Sequence, residues 1–169
     1  MDMGGAMRRS PKRPAGLRRI IYRLPLWLYR ARLGGLLGHR FVLIHHVGRR
    51  SGRCREVVVE VAERDPATGA VTVMAGYGAH SDWYRNLLAH PAARIQVGNH
   101  SATVHAMPLT PDEAGDVLER YARRHPRAVR AMLRFLGSPV DGSREAYRRA
   151  GRRIPALRLE PSPAGTDSS

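Results

Sequence analysis

Cysteine, lysine and acidic residues are all scarce in this chain. Cys54 is the single cysteine, so no disulfide closes within the chain and no cysteine cluster holds zinc. That suits a reducing, cytoplasmic setting. Lys12 is the one lysine; every other basic side chain is arginine. Against 29 Lys and Arg stand only 14 Asp and Glu, giving a formal net charge of +15. No uninterrupted apolar run reaches the roughly 18 residues that a bilayer-spanning helix needs. The basic N-terminus also lacks the apolar core and small-residue cleavage site of a signal peptide. Common catalytic patterns are missing too: there is no His-Glu-x-x-His and no Gly-x-Ser-x-Gly, and the acids are scattered without an acid/base pair. His45 and His46 are neighbours on an extended segment, so they point to opposite faces and cannot chelate one metal together.

The 169 residues suffice for one domain with a proper core. Residues 1–16, rich in Gly, Pro and Arg, read as a disordered basic N-terminus. In residues 17–38, apolar side chains interleave with arginines, as in an amphipathic helical segment kinked at Pro25. That segment either caps the following domain or lies on an anionic membrane surface. Residues 39–160 form the folded domain, and 161–169 read as a disordered tail.

Within the domain, Phe41–His45, Arg55–Glu63 and Ala70–Ala75 read as consecutive strands, with Val57, Val59 and Val61 on one face of the second. Ser81 and Asp82 suit the start of a short helix that places Trp83, Tyr84, Leu87 and Leu88 on one face. Gly98-Asn99 signals a hairpin between Arg94–Val97 and Ser101–Ala106. Thr110-Pro111-Asp112-Glu113 is a capping box, Pro126 opens a further helix that ends at Gly137, and Ile154–Leu159 reads as a last strand. Strands joined by tight turns are antiparallel, so the class is α+β with an antiparallel sheet closed as a small barrel.

The most informative stretch is Gly48-Arg49-Arg50-Ser51-Gly52-Arg53-Cys54-Arg55. It is a turn between strands, yet four arginines crowd it and repel one another unless an anion is present. Guanidinium forks match phosphate or carboxylate, and glycines let main-chain N–H groups approach an oxyanion. The alternative is a solvated basic hairpin. Gly76-Tyr77-Gly78 follows a strand and opens a helix but lacks the third glycine and second βαβ unit of a dinucleotide fold. It reads as a bend that lets a flat group approach. A chain short of catalytic groups, with an anion loop and a glycine bend, fits chemistry carried by a cofactor.

Taken in order, Gly48-Arg49-Arg50-Ser51-Gly52, Arg55, Trp83-Tyr84-Arg85-Asn86-Leu87, His90-Pro91 and Arg153-Ile154-Pro155 resemble the deazaflavin-dependent nitroreductase family, which includes quinone reductases. The resemblance covers roughly residues 36–160. It implies a split β-barrel related to flavin-binding, pyridoxamine-phosphate-oxidase-like proteins. It also implies use of coenzyme F420, an 8-hydroxy-5-deazaflavin, in preference to flavin mononucleotide (FMN). The reaction it implies is hydride transfer from the reduced coenzyme to a quinone, a nitro compound or another unsaturated lipophilic acceptor. The coenzyme is a polyanion, with a phosphodiester and a chain of glutamates. Gly48, Arg49, Arg50, Ser51 and Arg55 would hold the phosphate and the start of the tail. Glu56, Val57, Val58 and Val59 would line the coenzyme partly through backbone. Met74, Ala75, Gly76 and Tyr77 would lie along the ring edge, with Asp82, Trp83, Tyr84, Arg85 and Asn86 contributed by the following helix. Members of that family carry serine and lysine where this chain has Gly76 and Tyr77, so Tyr77 is the candidate catalytic proton donor. Tyr121 and Tyr147 are the candidates for an acceptor pocket. No metal and no nucleic acid are expected, and the protein is a monomer or homodimer, cytoplasmic or peripheral at the inner face of the membrane. A non-catalytic carrier of the coenzyme or of a fatty-acyl ligand is the alternative on the same barrel.

Overall fold

The computed structural model describes residues 39–135 and 137–162; the segments 1–16 and 17–38 and the tail from 163 lie outside them. Strands β1 (Phe41–Val47), β2 (Cys54–Arg64) and β3 (Val71–Met74) come first, followed by helix α1 (Asp82–Ala89) and the hairpin β4 (Ala92–Val97) and β5 (His100–Pro108). Helices α2 (Pro111–Arg124), α3 (Pro126–Phe135) and α4 (Arg144–Gly151) precede β6 (Ala156–Pro161). Every strand pair is antiparallel, and the six close into a barrel in the order β1-β2-β3-β6-β5-β4. The antiparallel barrel with flanking helices expected from the sequence is the architecture found. No helix among the described residues is long and apolar enough to cross a membrane.

The period-two pattern of the strands builds the barrel interior. Val42, Ile44, Val71, Val73, Val104, Leu157 and Leu159 are fully buried there, with Val57, Val59 and Val61 packed against them. Helix α1 plugs one end: Leu87 enters this core while Trp83 and Tyr84 pack on it with their rings edge to face. Leu88, expected on the same face, is 49% exposed. An eight-residue helix across a barrel mouth buries a narrow stripe, and Leu88 is turned about 100° from Leu87.

A second core lies outside the barrel. Val117, Leu118, Tyr121 and Ala122 of α2 meet Val129 and Leu133 of α3, Tyr147 and Ala150 of α4, Ile154 and Ala62. The capping box at Thr110 forms as expected: Glu113 N donates to Thr110 Oγ1 and Thr110 N to Glu113 Oε2. Helix α4 was not separately legible in the sequence. Ser143 caps it, its Oγ accepting from Ala146 N at 3.2 Å. Its last residue, Gly151, touches α2 backbone to backbone, since a methyl group there would stand 2.7 Å from Ala114 O and from Gly115 Cα. The last strand begins later than the sequence pattern indicates. Ile154 N closes a turn on Gly151 O, which leaves Ile154 in the helical core. The strand then carries to Pro161, and Ser162 N donates to Thr103 O, past the point where the tail was placed.

The register of β2 positions the site. Val61 N donates to Arg40 O at 2.8 Å, and the pairing runs from Phe41↔Glu60 to Val47↔Cys54. In such a ladder alternate residues bond one neighbour. Arg55, Val57 and Val59 therefore bond β1, while Glu56, Val58 and Glu60 direct main-chain groups to the other side. On that side β3 meets β2 only at Val61, Glu63 and Arg64. From Cys54 to Glu60, β2 has a single strand neighbour among the described residues: the barrel is split there, and the split leads up to the arginine loop.

Candidate functional site

The loop between β1 and β2 folds on itself through Gly48, whose N donates to Arg53 O and whose O accepts from Ser51 N and Gly52 N. A methyl group on Gly48 would lie 2.7 Å from Ser51 Oγ and 3.0 Å from Arg55 Nε. A hydroxyl and a guanidinium thus converge over Gly48, whose lack of a side chain leaves room for both. The loop and α1 enclose a cleft of about 200 Å³ lined by Gly48, Arg49, Arg50, Ser51, Arg55, Asp82 and Asn86.

The arginines of this loop are not equivalent. The expectation that all four lack an anion fails at Arg49. Its guanidinium donates to Asp82 Oδ1 through both terminal nitrogens at 3.0 Å and to Asn86 Oδ1 at 2.9 Å, and its backbone N also donates to Asn86 Oδ1 at 3.1 Å. Its side chain is 19% exposed. Asp82 enters by folding, because α1 crosses the barrel mouth beside the loop. Arg49 is therefore a brace between loop and helix that keeps only part of its charge for a ligand. Arg50, Arg53 and Arg55 are exposed, and among the described residues their side chains make no ion pair.

Behind the brace stands His46, which was not among the site candidates read from the sequence. Asn86, buried, lies with its Nδ2 3.3 Å from Nδ1 of buried His46. Burial, together with the nearby Arg55 and His45 charges, holds the His46 imidazole below its ordinary pKa, so it stays neutral at pH 7. The signal was available: His46 shares the inward face of β1 with Val42 and Ile44. As expected, His45 points away from it and pairs with Glu56 across the strands at 3.4 Å. No cluster of metal-ligating side chains occurs among the described residues.

The remaining candidates reach the same end of the barrel through β2, β3 and α1. Glu56 and Val58 sit on the outer face of β2 at its split edge, and Val57 and Val59 face inward. Met74 packs on the helical core, and Ala75 is fixed by its N–H to Pro155 O at 2.7 Å. Gly76 and Gly78 border open space, with no atom within 4 Å of where a side chain would begin. Tyr77 between them is 58% exposed, and Arg85 is exposed beyond the helix face that carries Trp83 and Tyr84. Ser81 takes the cap position of α1 but makes no capping bond, and its Oγ is buried without a partner. A buried hydroxyl with no partner beside an open glycine bend is a position where a ligand atom would satisfy it.

The two tyrosines offered for an acceptor pocket each have a partner within the fold. Tyr121 donates to Glu60 Oε1 at 2.5 Å, and burial and that carboxylate hold its phenol well above the ordinary value. Tyr147 is buried in the helical core and accepts from Arg130 Nε. Of Arg153, Ile154 and Pro155, only Pro155 holds Ala75, through its carbonyl, while the Arg153 side chain lines a separate cavity.

Comparison with known proteins bears on the fold and the family. An F420-H2 dependent reductase (FDR-A) of known structure shares 22% identity over 73% of this chain and 96% of its own, with a TM-score of 0.51. A domain-swapped dimer shares 20% identity over 80% of this chain and 99% of its own, at 0.50. A conserved hypothetical protein from Mycobacterium tuberculosis shares 14% over 79% of this chain and 80% of its own, at 0.51. At such identities the likeness concerns the fold alone. No curated protein sequence matches at a significant level. The family described as F420H(2)-dependent quinone reductase matches residues 21–134, which include the arginine loop, the split edge of β2, the glycine bend and all of α1. The chain belongs to the F420H(2)-dependent quinone reductase family, and it is a deazaflavin-dependent reductase.

Proposed function

We propose that the protein binds reduced coenzyme F420 along the split edge of β2 and reduces a quinone or another unsaturated lipophilic acceptor. The observation that carries this reading is the convergence of Ser51 Oγ and Arg55 Nε over Gly48 beside Arg50 and Arg53, which make no ion pair among the described residues. The residues present fit the coenzyme. Arg50, Arg53 and Arg55 supply charge-assisted donors for a phosphodiester and glutamates, each worth on the order of 1.5–3 kcal/mol. The main-chain groups of Val58 and Glu60 on the split edge, the open bend at Gly76 and Gly78, and the buried Ser81 hydroxyl would hold the ring end. When bound, the reduced coenzyme supplies a hydride. Arg49, Asp82, Asn86 and His46 keep the loop and α1 in register, and Tyr77, exposed in the glycine bend, would give a proton to the acceptor.

Fluorescence titration of the purified protein with F420, with FMN in parallel, tests the reading. Micromolar or tighter binding of F420 and none of FMN is expected, followed by oxidation of the reduced coenzyme when menadione is added. Failure to bind F420 would overturn the assignment. Binding without oxidation by any quinone or nitro compound would instead support a carrier. A Tyr77→Phe protein with unchanged turnover would remove the tyrosine from the mechanism.

A further inference from the structure

The arginines of α4 and the turn after it fall into two sets. Arg144, Arg148 and Arg152 form a ladder with Glu119, Asp116 and Asp112 of α2, at 2.8, 2.9 and 2.7 Å. Arg149 and Arg153, also one turn apart, face elsewhere, and among the described residues neither side chain makes a hydrogen bond or an ion pair. Like charges at this spacing repel. Both line a cavity of about 310 Å³ between the loop from Gly137 to Asp141 and the face of α4 that carries Ala146 and Ala150. That volume lies in the range of small-molecule sites.

The rest of the lining sets the ligand class. Pro139, Val140, Ala146 and Ala150 make one wall apolar, and Val140 is packed on the helical core, so that wall is anchored. Asp141 is the one acid in the lining. Its carboxylate accepts from Ser143 N at 2.7 Å, which holds its pKa below the usual carboxylate range and keeps it ionised. Two arginines and one aspartate leave one net positive charge in a half-apolar cavity.

We propose that this cavity binds a small organic monocarboxylate, Arg149 and Arg153 taking the carboxylate and the Pro139–Val140 wall taking the apolar body. None of these residues lines the cleft at the arginine loop, so the proposal does not depend on where the coenzyme binds. An isolated arginine pair on a helix surface would gain little from an exposed carboxylate, but a pair backed by an apolar wall offers the anion a partly dehydrated seat.

The test is calorimetric titration of the full chain with 2-naphthoate and, separately, with the neutral 2-naphthalenemethanol. The carboxylate is expected to bind at least about tenfold more tightly than the alcohol, a difference of about 1.4 kcal/mol. Arg149→Gln and Arg153→Gln should each erase most of that preference, whereas Arg50→Gln in the other cleft should leave it intact. Equal affinity for the two probes in the unmodified protein would overturn the proposal. So would a preference that survives both substitutions or is lost in Arg50→Gln. The comparison of the two probes on the unmodified protein decides the matter even if a variant does not fold.

Discussion

Two arginine-rich regions of this molecule use the same side chain in opposite ways. Along α4, Arg144, Arg148 and Arg152 each find an acid on α2, and the ladder clamps two helices that already touch through Gly151. In the β1–β2 loop, only Arg49 finds one, Asp82, while Arg50, Arg53 and Arg55 remain unpaired among the described residues. A surplus of arginine therefore does not mark a site; what distinguishes the loop is that three arginines without an acid partner among the described residues cluster beside one cleft. The difference arises because α2 and α4 run antiparallel with acids and bases at helical spacing, whereas the loop meets a helix with a single aspartate in its first turn.

Breaking the brace should have the largest effect. Asn86→Leu removes the acceptor of two Arg49 bonds and the partner of His46, leaving polar groups buried, so stability should fall by about 2–3 kcal/mol and F420 affinity with it. Denaturant unfolding and coenzyme titration of the same variant would show both losses; loss of affinity alone would mean that Asn86 touches the ligand rather than bracing the loop. Next, Arg55→Ala should weaken F420 binding about tenfold or more with no change in the unfolding midpoint, because Arg55 is exposed and makes no ion pair among the described residues. A fall in the midpoint would place Arg55 with the structural arginines.

A smaller effect follows from His46. Its folded pKa is lowered by burial, so below the unfolded value of about 6.5 the unfolded chain binds a proton that the native state refuses. This contribution to stability is complete above that pH and declines as pH falls toward the folded pKa. Unfolding midpoints at pH 7.5 and 5.5 should show the decline, and His46→Gln should flatten it. Smallest is Arg148→Ala in the ladder. Both partners are part exposed, so about 0.5 kcal/mol is expected in denaturant unfolding, with F420 affinity unchanged. A change in affinity would erase the distinction between the two regions.

Much of the fold was legible because its signals are local. Valine alternation marked β2, Gly98-Asn99 the hairpin, and the capping box α2, each set by a few adjacent residues. Helix α4 was harder to read because its arginine-rich sequence shows only a narrow apolar stripe of Ala146, Tyr147 and Ala150. In the site, the concentration of arginine and glycine marked the loop, while the inward place of His46, which alternation along β1 could have given, was not read. That Asp82 would neutralise Arg49, and that Tyr121 would be taken by Glu60, could not be read, because these partners are 33 and 61 residues apart in the chain.

The sequence by itself determined the strand pattern, the turn positions, the excess of positive charge and the donors of the loop, since these follow from residue type and spacing. Only the tertiary structure decided which arginines keep their charge for a ligand. Pairing depends on which helix crosses which strand, and that is settled by burial of Leu87 in the barrel and of the α2–α4 contact outside it, not by any feature of the arginines themselves.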